Sequence, residues 1–83
     1  MPKVMLYALS TCGWCRKAKA FFAQHNVPYD HIDVDLLQGA DKERVMAEVR
    51  RWNPRQSFPT IVLDGRSAIV GFDEEQLRRE LGL

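Results

Sequence analysis

The first third of the chain shows three hydrophobic patterns, which predict a strand, a helix and a second strand. Residues 3–9 are apolar on both alternating faces, which is typical of a strand that is covered on both sides and central in its sheet. Over residues 13–24, apolar side chains recur every three or four positions, as on the buried side of a helix. Residues 29–34 place Ile32 and Val34 on one strand face, opposite polar residues. This order favours a right-handed parallel β-α-β unit.

The middle of the chain predicts a second helix followed by a β-hairpin. The helix covers residues 39–52. Pro59 then begins a strand at residues 60–63, a position where a residue without a backbone N–H is tolerated. The Asp-Gly pair at 64–65 is a strong signal for a two-residue connection into a strand at 67–70. These last two strands are therefore predicted to pair antiparallel.

The last predicted helix has its own start signals. Asp73 is a suitable N-cap, Gln76 is placed to reach back as in a capping box, and Phe72 and Leu77 occupy the positions of a hydrophobic staple. The element order becomes β-α-β-α-β-β-α. This order predicts an α/β three-layer sandwich in which a mixed four-stranded sheet lies between helices. We expect residues 1–83 to form a single domain.

Charge and hydropathy argue against several classes of partner. The chain has 12 Lys and Arg against 11 Asp and Glu, a formal net charge of +1, so no global field attracts nucleic acid or an anionic bilayer. The longest apolar runs, 4–9 and 58–63, fall far short of the ~20 residues that a membrane helix needs. Residues 1–15 show no export signal. We expect a soluble, cytoplasmic monomer that binds neither nucleic acid nor membranes.

The candidate chemistry lies in the two cysteines, Cys12 and Cys15, where the first strand passes into the first helix. A disulfide between them closes a very small ring and contributes little chain-entropy stabilisation. A reducing compartment would also disfavour a structural disulfide. The pair is therefore predicted to serve reversible redox chemistry or metal ligation. Ser10 and Thr11 supply hydroxyls that are predicted to cap the helix.

The position of each cysteine predicts its role. Unpaired N–H groups and peptide dipoles at a helix N-terminus stabilise a thiolate over a thiol, so we expect Cys12 to attack a substrate disulfide. Cys15 follows on the same helix face, near enough to bridge. It also belongs to the buried stripe with Ala18 and Phe22, so it should be less exposed and keep a higher pKa. This asymmetry assigns Cys15 the resolving role.

Charged and aromatic neighbours complete the candidate site. Arg16 lies four residues after the first cysteine on one helix face and is a candidate for stabilising the thiolate. A solvated helix face explains Arg16 equally well, and the same alternative stays open for Lys17 and Lys19. Trp14 cannot point at the same core as the second cysteine. It is therefore predicted to line the mouth of the site and to contact substrate.

Two other functions remain as alternatives. Cys12, Cys15, His25 and His31 superficially resemble a zinc finger. The spacing between the pairs is shorter than the usual ~12 residues, and a helix and a strand intervene, so we expect no metal. The histidines are more simply explained as surface residues. A redox-silent or zinc-binding adaptor stays open because small folds host unrelated functions.

Three segments in order resemble the glutaredoxins: Cys-Gly-Trp-Cys at 12–15, Ser-Phe-Pro-Thr at 57–60 and Gly-Phe-Asp-Glu at 71–74. The resemblance spans nearly the whole chain. It implies a thioredoxin fold and a thiol-disulfide oxidoreductase without a tightly bound cofactor. Glutathione would be the electron donor, and disulfide-containing proteins the other partners. It also implies a cis peptide before Pro59 and a Phe58 backbone that pairs with an extended substrate.

The same resemblance implies residues that hold glutathione. The entrance of the last helix, with Gly71, Asp73 and Glu74, would surround the γ-glutamyl end of the tripeptide. Arg55 would meet the glycyl carboxylate, although an ordinary loop charge explains this arginine equally well. Asp73 also suits a simple helix cap, and the two roles are compatible.

The sequence departs from the glutaredoxin pattern at three places. Leu9 stands where glutaredoxins commonly have a lysine, Gly13-Trp14 replaces the usual Pro-Tyr, and Gly71-Phe72 replaces the usual double glycine. Phe72 therefore joins the candidate substrate-binding residues. The last departure resembles redoxins that take electrons from thioredoxin reductase and donate them to ribonucleotide reductase. That alternative implies a flavoenzyme reductase as the partner.

Overall fold

A computed structural model describes all 83 residues and contains four strands and three α-helices. The strands are β1 (Val4–Ala8), β2 (Asp30–Asp33), β3 (Thr60–Leu63) and β4 (Ser67–Val70). The helices are α1 (Gly13–Gln24), α2 (Gly39–Trp52) and α3 (Glu74–Leu81), and a 3₁₀ turn (Val34–Leu36) follows β2. The predicted order β-α-β-α-β-β-α is confirmed. None of the helices has the length and apolar character needed to cross a membrane.

The sheet is mixed, with the strand order β2-β1-β3-β4. β1 pairs parallel to β2, with Ala8 opposite Asp33, and antiparallel to β3, with Tyr7 opposite Thr60. β3 and β4 form the antiparallel hairpin. β1 is therefore an interior strand, as its two apolar faces predicted, and its carboxyl end leads directly into the residues before α1.

Two hydrophobic clusters cover the two faces of the sheet, and β1 contributes alternate residues to each. Val4, Leu6 and Ala8 belong to the larger cluster, which the buried faces of α1 and α3 complete. Tyr7 belongs to the smaller cluster, together with Val49 of α2. Because full burial of a large aliphatic or aromatic side chain contributes about 1.5–3 kcal/mol, these layers hold the end of β1 in place.

The end of β2 differs from the prediction. Val34 was expected to be the last residue of the strand, but it begins the 3₁₀ turn. Its side chain is still buried in the smaller hydrophobic cluster, and Ile32 also packs against that cluster. The predicted apolar face is therefore present, although the backbone turns one residue earlier.

The predicted bounds of the last two strands, 60–63 and 67–70, are confirmed, and the connection between them has three residues, whereas the Asp-Gly pair alone suggested two. Asp64 and Gly65 both have positive φ, 55° and 63°, as the centre of a type I′ turn requires. The N–H of Arg66 donates to the Leu63 carbonyl at 3.0 Å and closes that turn. Leu63 nevertheless pairs with Ser67, so Arg66 also lies outside the strands.

The start of α3 has the predicted cap but only half of the capping box. Asp73 is the N-cap, and its Oδ1 accepts the Gln76 N–H at 3.1 Å. The Gln76 side chain forms no hydrogen bond back to Asp73. Phe72 and Leu77 lie in the same hydrophobic cluster, as a staple requires.

Candidate active site

Cys12 is itself the N-cap of α1. Its backbone is extended, with φ −87° and ψ 120°, and its Sγ accepts the Cys15 N–H at 3.2 Å. The prediction that Ser10 or Thr11 caps this helix is therefore wrong. The capping position falls on the cysteine because it is the last extended residue before the helical turn. A sulfur that accepts a backbone N–H at a helix N-terminus is in a place that favours negative charge.

Cys15 lies beneath Cys12 in the opposite environment. It is fully buried in the larger cluster, beside Ala18 and Phe22 of the same helix face. Burial, followed by the hydrogen bond and charge of Cys12, raises the pKa of the Cys15 thiol to about 12. The lower exposure and higher pKa expected for this cysteine are both found. The two cysteines are not joined by a disulfide bond.

The loop before Cys12 is attached to the 3₁₀ turn through Asp35, a contact that sequence reasoning missed. The Ser10 N–H donates to Asp35 Oδ1 at 2.8 Å, and the Ser10 hydroxyl donates to the other carboxylate oxygen. Both hydrogen bonds lower the pKa of the Asp35 carboxyl group, and the one from the Ser10 hydroxyl has the larger effect. Ser10 therefore anchors the active-site loop and does not cap α1.

The Asp35 contact predicts a pH-dependent contribution to stability. The pKa of Asp35 is lower in the folded protein than in the unfolded one. The stabilisation from this contact is therefore complete above the unfolded pKa of about 4 and is lost as the pH falls through the folded pKa. We expect Asp35→Ala to lower the urea midpoint at pH 7, and the difference from wild type to shrink in acid. The control is Asp30→Ala, an exposed carboxylate without a hydrogen bond. A difference that stays constant down to pH 2 would contradict this assignment.

The Phe58–Pro59 segment lies beside Cys12. The peptide bond between these residues is cis, as the glutaredoxin resemblance implied. The Phe58 carbonyl oxygen is 4.0 Å from Cys12 Sγ, and Pro59 is buried. The N–H of Gly71 donates to the Pro59 carbonyl at 2.8 Å, so the segment is connected to the start of the last helix. The predicted site segments 57–60 and 71–74 are thus brought together, and the first of them lies beside Cys12.

A buried asparagine holds that segment in place. Asn53 is only 1% exposed. Its Nδ2 donates to Ser57 O, Ser57 Oγ and Thr60 Oγ1, each at 3.0 Å, and its Oδ1 accepts the Arg55 N–H at 3.1 Å. The sequence shows Asn53 only as a residue that ends α2. The structure shows that it connects both ends of the turn that presents Phe58.

Removal of this side chain is expected to destabilise the protein. Asn53→Ala removes four hydrogen bonds, and the buried Thr60 hydroxyl loses its donor, so we expect the free energy of unfolding to fall by about 1–3 kcal/mol. Urea denaturation measures the change. The matched control is Gln38→Ala, an exposed position at the start of α2 whose side chain forms no capping bond. An Asn53→Ala midpoint equal to that of the control would show that the network contributes nothing.

An apolar groove of about 200 Å³ opens at Phe58, whose carbonyl oxygen lies 4.0 Å from Cys12 Sγ. It is lined by Trp14, Phe58, Pro59, Gly71 and Phe72. Trp14 is 58% exposed, as predicted for a residue at the mouth of the site, and its ring centroid is 6.4 Å from that of Phe72. The groove can therefore hold an apolar or planar group of a ligand.

The cations near the site differ in their surroundings. Arg16 and Arg55 are exposed and form no ion pair. Lys17 places its Nζ 4.4 Å from the Trp14 ring centroid, and Lys19 forms an ion pair with Asp33 at 3.0 Å. The two lysines therefore have specific contacts, whereas the two arginines are free to meet an anionic ligand.

The four residues of the zinc-finger alternative do not come together. Cys12 begins α1 and His25 ends it, so the 12-residue helix separates them by about 18 Å. His25 instead packs on Phe21, with ring centroids 4.5 Å apart. A single ion cannot bind this set of residues, since zinc ligands lie about 2.0–2.3 Å from the metal.

The fold and the site together define a class of protein. A parallel β-α-β unit followed by an antiparallel hairpin and a helix forms the thioredoxin-like architecture, and the two cysteines begin α1 opposite a cis-proline. The chain is a thioredoxin-fold redoxin. The glutaredoxin family model matches residues 4–68, and the chain belongs to the glutaredoxin family.

Individual relatives agree with this assignment. A glutaredoxin-like 8.6 kDa protein of Clostridium pasteurianum, described as uncharacterized, is 31% identical over 89% of this chain and 91% of its own length. The structure of Methanosarcina acetivorans methanoredoxin is 43% identical, with a TM-score of 0.93 over 98% of this chain and 85% of its own. The Methanosarcina mazei glutaredoxin is 46% identical, with a TM-score of 0.90 over 98% and 79%. The chain spans 61% of Rickettsia prowazekii glutaredoxin 1.

Proposed function

We propose that the chain reduces protein disulfides or glutathione mixed disulfides through Cys12 and Cys15, with glutathione as the electron donor. The observation that supports the dithiol chemistry is the asymmetry of the two sulfurs. Cys12 is partly exposed at the N-terminus of α1 and accepts a backbone hydrogen bond there. Cys15 lies one helical turn further on, fully buried, with its pKa raised to about 12. One sulfur suits attack on an external disulfide, and the other suits a subsequent internal step.

The proposed reaction has two displacements. The Cys12 thiolate attacks one sulfur of the substrate disulfide, and the other substrate sulfur leaves as a thiolate. Cys15 then loses its proton and attacks Cys12, so the Cys12–Cys15 disulfide forms and the second substrate thiolate leaves. The substrate gains two electrons, which the cysteine pair loses. Two molecules of glutathione then restore the dithiol and leave as glutathione disulfide.

The residues around the groove are assigned to substrate binding. The aromatic side chains Trp14 and Phe72 are proposed to contact the apolar part of the substrate. The backbone of Phe58 is proposed to pair with an extended peptide, because its carbonyl already lies beside Cys12. These contacts would align the substrate sulfur with the first cysteine, which is the main requirement for a fast displacement.

Glutathione has charged ends that suit the rim of this groove. Its glycyl carboxylate matches Arg55 or Arg16, which form no ion pair in the structure. Its γ-glutamyl end is proposed to lie near Gly71, Asp73 and Glu74. Asp73 uses Oδ1 as the helix cap, and its second oxygen accepts no hydrogen bond, so capping and ligand binding are compatible. Glu74 Oε1 lies 3.8 Å from Arg78 Nη2. This ion pair is weak, so a ligand ammonium can replace Arg78 as the partner of Glu74.

A second candidate is a redoxin that is reduced by thioredoxin reductase and donates electrons to ribonucleotide reductase. Two observations favour it. Leu9, at the position where glutaredoxins commonly have lysine, packs against the smaller hydrophobic cluster, so it supplies no cation to glutathione. Phe72, at the position of the second glycine, packs near Trp14 and makes the groove more apolar.

A coupled assay separates the two candidates. NADPH oxidation is measured with a disulfide substrate and either glutathione with glutathione reductase or thioredoxin reductase alone. We expect turnover with the glutathione system and none with thioredoxin reductase. The reverse result supports the second candidate and refutes the glutathione assignment. Absence of turnover with both donors supports the redox-silent adaptor.

A further inference from the structure

The resolving step requires an ionised Cys15, and the surroundings of this residue oppose ionisation. Burial and the neighbouring Cys12 sulfur both favour the neutral thiol. Two groups act in the opposite direction: the Leu9 backbone and the Lys19 ammonium. Leu9 contributes a backbone group that no side-chain substitution removes. Among these neighbours of Cys15, Lys19 is therefore the one side chain that favours the Cys15 thiolate.

The position of Lys19 is determined by its secondary structure and by an ion pair. Lys19 follows Cys15 by four residues in α1, so the two side chains lie on the same helix face. Lys19 Nζ is 3.0 Å from Asp33 Oδ1. Asp33 is the last residue of β2 and pairs in register with Ala8, which lies close to the start of the active-site loop. The ammonium group is thereby held on the Cys15 side of the helix.

This ion pair differs from the other ion pairs that lysine and arginine form. Its side chains are 28% and 19% exposed, for Lys19 and Asp33 respectively. In every other such pair both partners are at least 45% exposed, and those pairs lie within a single helix. His31 is the other titratable neighbour of Asp33, with Nε2 4.0 Å from Oδ2. A partly covered ion pair between a helix and a strand is more ordered than an exposed one and is less screened by solvent.

We propose that Lys19 stabilises the Cys15 thiolate during the resolving step, and that Asp33 is the positioning residue that keeps the ammonium in place. The inference rests on the proposed dithiol function. It assigns Lys19 to the second displacement alone, because the first one uses the Cys12 sulfur at the helix N-terminus.

The step balances without any further reactant. Cys15 loses a proton, its thiolate attacks the Cys12 sulfur of the mixed disulfide, and the bond between Cys12 and the substrate breaks. The substrate leaves as a thiolate, which takes up a proton from solvent in place of the one that Cys15 released. Lys19 keeps its own protons throughout and acts by its charge.

The expected effect follows from the thiolate population. Removal of one nearby, partly exposed positive charge is expected to reduce the ionised fraction of Cys15 about tenfold. A thiolate of higher pKa is intrinsically more nucleophilic, with a Brønsted slope of ~0.4–0.5, and this offsets roughly half of the loss on a logarithmic scale. The net expectation is an approximately threefold slower resolving step.

The experiment uses dithiobis(nitrobenzoate), a disulfide that releases one coloured thiolate in each displacement. Attack by Cys12 produces a first phase that depends on reagent concentration, and attack by Cys15 produces a second phase that does not. Stopped-flow absorbance between pH 7 and 9 is recorded for wild type, Lys19→Met, Lys19→Gln and Lys19→Arg. Lys3→Met is the matched control, since it also removes one lysine charge but lies at the opposite end of β1.

We expect both neutral Lys19 variants to slow the second phase about threefold at every pH and to leave the first phase unchanged. The Lys19→Arg and Lys3→Met variants should match wild type. A second phase in the neutral variants as fast as in Lys3→Met would overturn the inference, and so would equal slowing of both phases. If wild type shows no second phase, the dithiol function itself is wrong. A second phase that is present but insensitive to Lys19 refutes this inference alone.

Discussion

Replacement of Cys12 with serine is expected to abolish disulfide reduction, with a loss of at least about a thousandfold in turnover. The hydroxyl is a far weaker nucleophile than a thiolate, and no other side chain at the site can replace it. The fold should survive, because serine is a preferred N-cap residue and can accept the same Cys15 N–H. The NADPH-coupled assay measures the loss, and urea denaturation checks the fold.

Two results would contradict this expectation. Residual turnover above about a tenth of wild type would show that Cys12 is not the attacking residue. Loss of turnover together with a large fall in the urea midpoint would show that the substitution acts through the fold. The control is Thr11→Ser, an exposed position beside the site that should remain fully active.

Replacement of Cys15 is expected to separate two activities. Reduction of a protein disulfide should fall at least about a hundredfold, because an intramolecular attack of very high effective concentration is replaced by attack from free glutathione. Reduction of a glutathione mixed disulfide should remain partly intact, since Cys12 and a second glutathione suffice for it. Parallel assays with the two substrate types measure the ratio.

The choice of substitution matters at this buried position. Cys15→Ser places a hydroxyl in an apolar cluster, whereas Cys15→Ala does not, so agreement between the two variants excludes an effect of the buried hydroxyl. Equal loss of both activities in both variants would refute the division of roles between the cysteines. Retention of full protein-disulfide reduction would show that Cys15 has no resolving role.

The fold could be predicted from the sequence because its determinants are local. The two apolar faces of β1 indicated an interior strand, and the spacing of Ala18 and Phe22 indicated which side of α1 is buried. The structure differs from the predicted elements at two places, and at each of them a single residue decides the backbone geometry. Val34 turns away from β2 although its side chain keeps the predicted environment, and Arg66 lengthens a connection that Asp-Gly alone predicts to be shorter.

The site could be predicted only in part, because several of its contacts join residues that are distant in sequence. The cysteine pair and the cis-proline segment were identifiable from their motifs. The Ser10–Asp35 contact joins residues 25 positions apart, and no periodicity indicates it. Asn53 resembles an ordinary helix terminator until its buried hydrogen bonds are seen. Cys12 was not predicted as the N-cap, because cysteine is not among the usual capping residues.

The division of roles between Cys12 and Cys15 is tested most directly by the relative reactivity of the two sulfurs in the reduced protein. Limiting iodoacetamide is added at pH 7, the reaction is quenched at intervals, and peptide mass spectrometry quantifies alkylation at each cysteine. We expect rapid modification of Cys12, while Cys15, which is buried with its pKa raised to about 12, reacts only after denaturation in urea. Alkylation of Cys15 at the same rate as Cys12, or before it, would show that Cys12 is not the attacking sulfur.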